Sequence, residues 1–237
     1  MITMRMATDA TSLRERMKRD ESGIGLVELL VAMLIFGIVI TLVANMYVSM
    51  TRTVQIGGSV NNSTKAASLG MNELSRVIRF ATGNPVSGQP IDDPAFVEAG
   101  RETITVYSYV DTVSSAVQPV KVKFSLDASR RLIETRYAAY SLSAGYWGFS
   151  STPLWTRTLT GQVMAPGAGE PYLFTYLQDD GTAIAVPAAG LASSQFSAIA
   201  AVQVTLKLKA DDGTTANPVV LQNTVGLPNL GIHRTGQ

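Results

Sequence analysis

The sequence predicts an α+β protein, with one long N-terminal helix followed by a head built on antiparallel β-sheet. Three observations carry this. An uncharged apolar run extends from Leu29 to Met50, long enough to cross ~30 Å of hydrocarbon as a helix. Apolar residues then recur at three- and four-residue steps as far as Ala81. Beyond Asn84 the pattern changes to short runs that alternate every second residue between turn-rich stretches, as half-buried strands do.

The N-terminus reads as a targeting device. Arg14, Arg16, Lys18 and Arg19 precede the apolar run. The positive-inside bias keeps this end in the cytoplasm and places the chain beyond Met50 outside. A secretory signal would have a shorter core and a small-residue cleavage site, and "ANMYVSMTRT" offers a poor one. The apolar segment opens on one acid, Glu28. An isolated acid in a bilayer costs ~2.5–3.5 kcal/mol and less near the interface, so a partner is expected. A cut after Gly23 would create an ammonium at Ile24. The i, i+4 spacing sets Glu28 beside it in the first helical turn, where the helix dipole also favours negative charge. The ammonium of a neighbouring copy would serve equally well.

The next stretch, Thr51 to Thr82, is polar but periodic. Ala67, Gly70, Met71, Leu74, Val77, Ile78 and Ala81 form one apolar helical face. Gly83 is expected to stop the helix, with Pro85 following. Gly57-Gly58-Ser59 interrupts the pattern, and two glycines cost ~1 kcal/mol each against alanine. A kink or a short unwinding is expected there.

From Asn84 to Gly100 the chain is turn-rich and reads as loop. Six strands are then predicted, at Thr103–Val110, Val120–Leu126, Arg131–Tyr137, Tyr172–Gln178, Ala201–Leu208 and Pro218–Val225. Residues 127–130 read as a hairpin turn, as do Asp211-Asp212-Gly213 and Asp179-Asp180-Gly181, the last leading to "TAIAV". Short strands and tight turns indicate a mostly antiparallel sheet. Between the third and fourth strands lies an aromatic insertion, Tyr140 to Trp155. Tyr146, Trp147, Phe149 and Trp155 there either form a binding surface, as aromatics do in hot spots, or cover the helix end or a second small core, since large aromatics are mostly buried. The tail after the last strand reads as irregular.

Composition excludes several functions. Lys+Arg 19 against Asp+Glu 18 leaves a net charge of +1, which provides no global field for nucleic acid or an acidic substrate. The absence of cysteine removes zinc-thiolate sites, thiol catalysis and disulfides. The lone histidine, His233, lies near the C-terminus, and no Ser-His-Asp set or metal-ligand cluster is present. The acid pairs Asp92-Asp93, Asp179-Asp180 and Asp211-Asp212 fall in predicted turns, where Asp serves local backbone bonding. No catalytic residue, cofactor or metal is expected.

The run "GIGLVELLVAMLIFGIV" resembles the class III signal of type IV pilins and type II secretion pseudopilins. That signal has a basic leader, a cleavage-site glycine, four mostly apolar residues, a glutamate and a long apolar run. The resemblance covers roughly Arg14 to Met50. It implies a pilin-like fold with residues 1–23 as a cytoplasmic leader removed by a prepilin peptidase. Residues 24–50 would be the transmembrane and assembly half of the helix, 51–83 its amphipathic half and 84–237 the β-rich head. It implies cleavage between Gly23 and Ile24, methylation of the Ile24 amine, and Glu28 in the docking role. Ile24 stands where Phe or Met is commoner, and the mid-helix proline of many major pilins is absent. "NELSRVIRFATGNP" and "LQNTVGLPNL" look like W-type minor pilins and J-type minor pseudopilins. These imply a fibre subunit near the tip that helps to start assembly. A K-type tip subunit usually lacks the glutamate. The partners implied are other pilin or pseudopilin subunits, an inner-membrane assembly platform and the lipid bilayer. The protein would sit in the cytoplasmic membrane with its head outside, then in a fibre at the cell surface. The alternative function is a pilus-tip binding subunit for DNA or a surface, with the aromatic insertion as the contact.

Overall fold

In the computed structural model the residues described are 25–89, 92–110, 118–143, 145–209 and 217–230. The architecture is α+β and pilin-like. Helix α1 spans Leu26–Arg79, and the strands that follow pair antiparallel throughout. The chain divides into two compact units, Met1–Gln55 and Ile56–Gln237.

The second unit holds the sheets. One has five strands in the order β1 (Phe96–Ala99), β2 (Ile104–Ser108), β3 (Val120–Leu126), β4 (Arg131–Tyr137) and β7 (Trp155–Gln162). Another has four, in the order β11 (Val219–Gly226), β10 (Ala201–Leu208), β8 (Phe174–Leu177) and β9 (Ala183–Ile184). A separate hairpin joins β5 (Ala139–Ser143) to β6 (Tyr146–Phe149). The two larger sheets meet where Val163 bridges Leu208, and the Met164 N–H donates to the Lys207 carbonyl.

The predicted helical face is buried. Ala67, Leu74, Val77, Ile78 and Ala81 are fully enclosed with Ile104, Phe124, Leu132 and Leu206. Each large aliphatic side chain so buried contributes roughly 1.5–3 kcal/mol. Gly70 permits the closest approach. A Cβ there would lie 2.5 Å from the Thr160 methyl on β7.

The helix differs from expectation in two places. The backbone remains helical through Gly57, Gly58 and Ser59, so the unwinding considered there does not occur. Glycine's preference is a cost of ~1 kcal/mol per residue, which burial of the next turns outweighs. The helix also ends at Arg79, before Gly83. Ser108 donates its hydroxyl to the Val77 carbonyl at 2.9 Å, Ala81 bridges Ser108, and the Thr82 N–H reaches the Tyr107 carbonyl. Sheet pairing captures the chain before the glycine is reached. Gly83 instead allows close packing, since a Cβ there would meet the Asp93 carbonyl at 3.1 Å.

The six predicted strands all form, within two residues at each end. The 127–130 turn is closed by Asp127, whose carboxylate accepts the N–H groups of Ser129 and Arg131. Those bonds, with the Arg131 guanidinium, hold its carboxyl below the usual range. Asp179-Asp180-Gly181 turns into β9 as expected, with Gly181 at φ 81°. Asp211-Asp212-Gly213, His233 and the end of the tail lie outside the described residues. Four strands were not anticipated. β1 arises inside the presumed loop, and β5, β6 and β7 arise inside or beside the aromatic insertion. Their residues do not alternate strictly, because β5 and β7 expose most of both faces.

Candidate functional site

The first unit supplies a bare apolar helix. Every residue from 25 to 55 is exposed, and Leu26, Leu30, Met33, Leu34, Phe36 and Ile40 are each more than half exposed. The helix opens with the Glu28 N–H donating to the Gly25 carbonyl at 2.9 Å, so the acid stands in its first turn. No other charged residue occurs as far as Met50. Thr41 donates its hydroxyl to the Gly37 carbonyl at 2.8 Å, and Thr51 and Thr53 donate in the same way to Tyr47 and Ser49. These bonds satisfy hydroxyls that a hydrocarbon environment would leave unpaired. A Cβ at Gly25 or Gly37 would meet nothing within 4 Å. Among the described residues no packing therefore requires either glycine. Among the described residues this is the one helix long and apolar enough to cross a membrane.

The head carries a helix-to-sheet ionic network that the sequence did not announce. Glu134 on β4 has no exposed surface and accepts from Arg136 Nε at 2.7 Å and Arg157 Nη2 at 2.7 Å. Glu73 on α1 accepts from Arg76 at 2.7 Å, Arg136 at 2.8 Å and Arg157 at 3.0 Å. Burial raises the Glu73 pKa, but the Arg76 hydrogen bond and the charges of Arg76, Arg157 and Arg136 outweigh it and hold the carboxyl below its ordinary value. Two carboxylates thus face three guanidiniums. Trp155 lies against two of them, with its ring 4.8 Å from Arg136 and 5.1 Å from Arg157.

The four aromatics singled out in the insertion do not form one cluster. Trp155 belongs to the ionic network. Phe149 stacks on Tyr107 at 4.6 Å, and the Trp147 carbonyl accepts from the Asn84 side chain. Tyr146 is half-buried on β6. The large apolar side chains exposed on the hairpin are Tyr140 and Leu142. Tyr140 lies across its pair partner Gly148, where a Cβ would meet its ring at 2.5 Å.

Two concavities mark the head. The smaller, of about 200 Å³, is lined by Met164, Pro171, Leu173, Lys207, Val220 and Gln222. Its polar groups are engaged, Lys207 with Glu170, Gln222 with Thr205 and Glu102 with Arg130. The larger, of about 560 Å³, includes Arg101, which is already engaged by the Val186 carbonyl and the Tyr172 hydroxyl. Neither gathers a nucleophile, base and oxyanion donor. Among the described residues no three metal-ligating side chains converge.

An apolar helix leading into an antiparallel head is pilin-like and fits a membrane-anchored chain. A family model described as the prokaryotic N-terminal methylation motif matches residues 18–44. The chain carries a prepilin signal of the type IV pilin and pseudopilin kind. That signal implies processing by a prepilin peptidase and assembly with other pilins. No curated protein matches the chain.

Proposed function

We propose that this protein is a minor pilin or pseudopilin of the W or J type, a structural subunit that helps to start a pilus-like or type II secretion fibre. A prepilin peptidase removes residues 1–23, cutting between Gly23 and Ile24 and methylating the Ile24 amine. Before assembly the segment Leu29 to Met50 anchors the subunit in the cytoplasmic membrane with its head outside. The assembly platform then moves it into the fibre. The observation that carries this reading is the match at residues 18–44 on a helix whose one charge before Met50 is Glu28.

The mechanism follows from that charge. In lipid the Glu28 carboxylate has no cation from another subunit to compensate it. In a fibre the Ile24 ammonium of an adjacent subunit supplies it, and a pair at low dielectric is far stronger than in water. The apolar surface around it then packs against other helices instead of lipid.

N-terminal mass spectrometry of membrane-extracted protein should find Ile24 first, as its N-methyl form. Glu28→Gln should be cleaved and inserted normally but should compete poorly with the wild-type subunit for sheared fibres. An intact Met1 end in cells with active peptidase, or equal incorporation of Glu28→Gln, would overturn the respective step.

A further inference from the structure

The amphipathic half of α1 has a second face that the head leaves uncovered. With about 3.6 residues per turn, Lys65, Leu69, Arg76 and Arg79 share the side opposite buried Ala67, Leu74 and Ile78. Lys65, Leu69 and Arg79 are exposed, Leu69 by 69%. Phe80, at the helix end, is 47% exposed. The one acid nearby, Glu73, is turned into the ionic network. Among the described residues no carboxylate pairs with Lys65 or Arg79. The network itself has one guanidinium more than carboxylates, and Arg157 brings that surplus to the surface, its side chain 48% exposed. Elsewhere on the head the ion pairs balance locally: Glu98 with Lys123, Glu102 with Arg130, Glu170 with Lys207. Lys65 and Arg79 thus leave this helical face net positive, although among the described residues Arg101, Lys121 and Lys209 also have no carboxylate partner.

We infer that this face docks an acidic surface of a neighbouring pilin-type subunit. The inference rests on the fibre-subunit function proposed above and adds where the head makes a specific contact. Two features choose a protein over a nucleic acid. Leu69 sits in the middle of the stripe, four residues from Lys65, and a phosphate backbone offers it no cover. The charges run about 21 Å along the helix axis, from Lys65 to Arg79 at ~1.5 Å per residue, with a large apolar side chain in between. An acidic protein surface satisfies both, since charge complementarity sets register while the apolar contact excludes water.

A carbodiimide tests this, because it joins an amine directly to a carboxylate in contact with it. Fibres sheared from cells carrying the wild-type chain are treated and digested, and Lys65-containing peptides are read by mass spectrometry. The expected product links Lys65 to an Asp or Glu of a different pilin-type chain, and Lys65→Arg, which keeps the charge but offers no amine, abolishes it. The double variant K65E/R79E should reach wild-type levels in the membrane yet enter fibres about tenfold less, as expected for juxtaposed like charges. Wild-type protein in fibres without a Lys65 adduct, or with an adduct only to its own carboxylates, refutes the docking face and leaves the fibre role standing. Fibres without the wild-type chain refute both. A duplex DNA gel shift by the detergent-solubilised chain that K65E/R79E abolishes, with fibre entry intact, replaces the acidic subunit with nucleic acid.

Discussion

Replacing Gly70 with alanine sets two terms of opposite sign against each other. In an exposed helix the change is favourable by about 1 kcal/mol, because alanine loses less backbone entropy. Here the new methyl would lie 2.5 Å from Thr160 Cγ2, with Leu206 and Leu132 behind it at 3.8 and 3.9 Å. Thr160 is buried, and its hydroxyl donates to the Gly161 carbonyl at 2.9 Å. A β-branched side chain held this way does not swing aside cheaply. Overpacking of this kind costs about 1–3 kcal/mol, so Gly70→Ala should destabilise the head by roughly 0–2 kcal/mol after the propensity gain. The decisive measurement is a double-mutant cycle. Thr160→Ser keeps the hydroxyl and removes the clashing methyl. In that background Gly70→Ala should become neutral or stabilising, by up to about 1 kcal/mol. Urea titration of a fragment starting at Ile56, followed by circular dichroism, reads all four corners. If Gly70→Ala costs the same in both backgrounds, the approach of α1 to β7 at Thr160 is not what the glycine serves.

Glu134→Ala leaves the Arg136 Nε buried without its carboxylate and should cost about 3 kcal/mol, the low end for a broken buried pair, because Arg136 retains Glu73 and Arg157 is half exposed. A loss under about 1 kcal/mol in the same titration would place the network among ordinary surface pairs. Glu73 has a depressed folded-state pKa, so its contribution is fully present above its unfolded value, about 4.3, and is lost as pH falls through the folded value. The urea midpoint should therefore drop on acidification below that range, and Glu73→Gln should show a shallower drop than the wild type. Gly23→Ala should be processed at least in part and bulkier residues at 23 should block cleavage, which immunoblots of precursor against mature chain resolve.

The sequence by itself determined the parts of this protein governed by short-range rules. A charge-free apolar run of this length has to be a helix, because no other segment satisfies its own backbone in lipid. Glu28 stands out because a single carboxylate in such a run is costly. The buried face of α1, from Ala67 to Ile78, follows from periodicity alone. So do β3, β4 and β10, whose alternation matches a sheet with one covered face. Tertiary structure decided the rest. The helix stops at Arg79 because Ser108, distant in sequence, donates to Val77, and no local signal competes with that pairing. β5, β6 and β7 form although their side chains do not alternate, because their registers are set by neighbours such as Phe149 on Tyr107 and Arg157 on Glu134. Glu73, Glu134 and Arg157 are scattered along the chain, and no local pattern singles them out. Only the fold encloses them together, where desolvation makes their pairing obligatory.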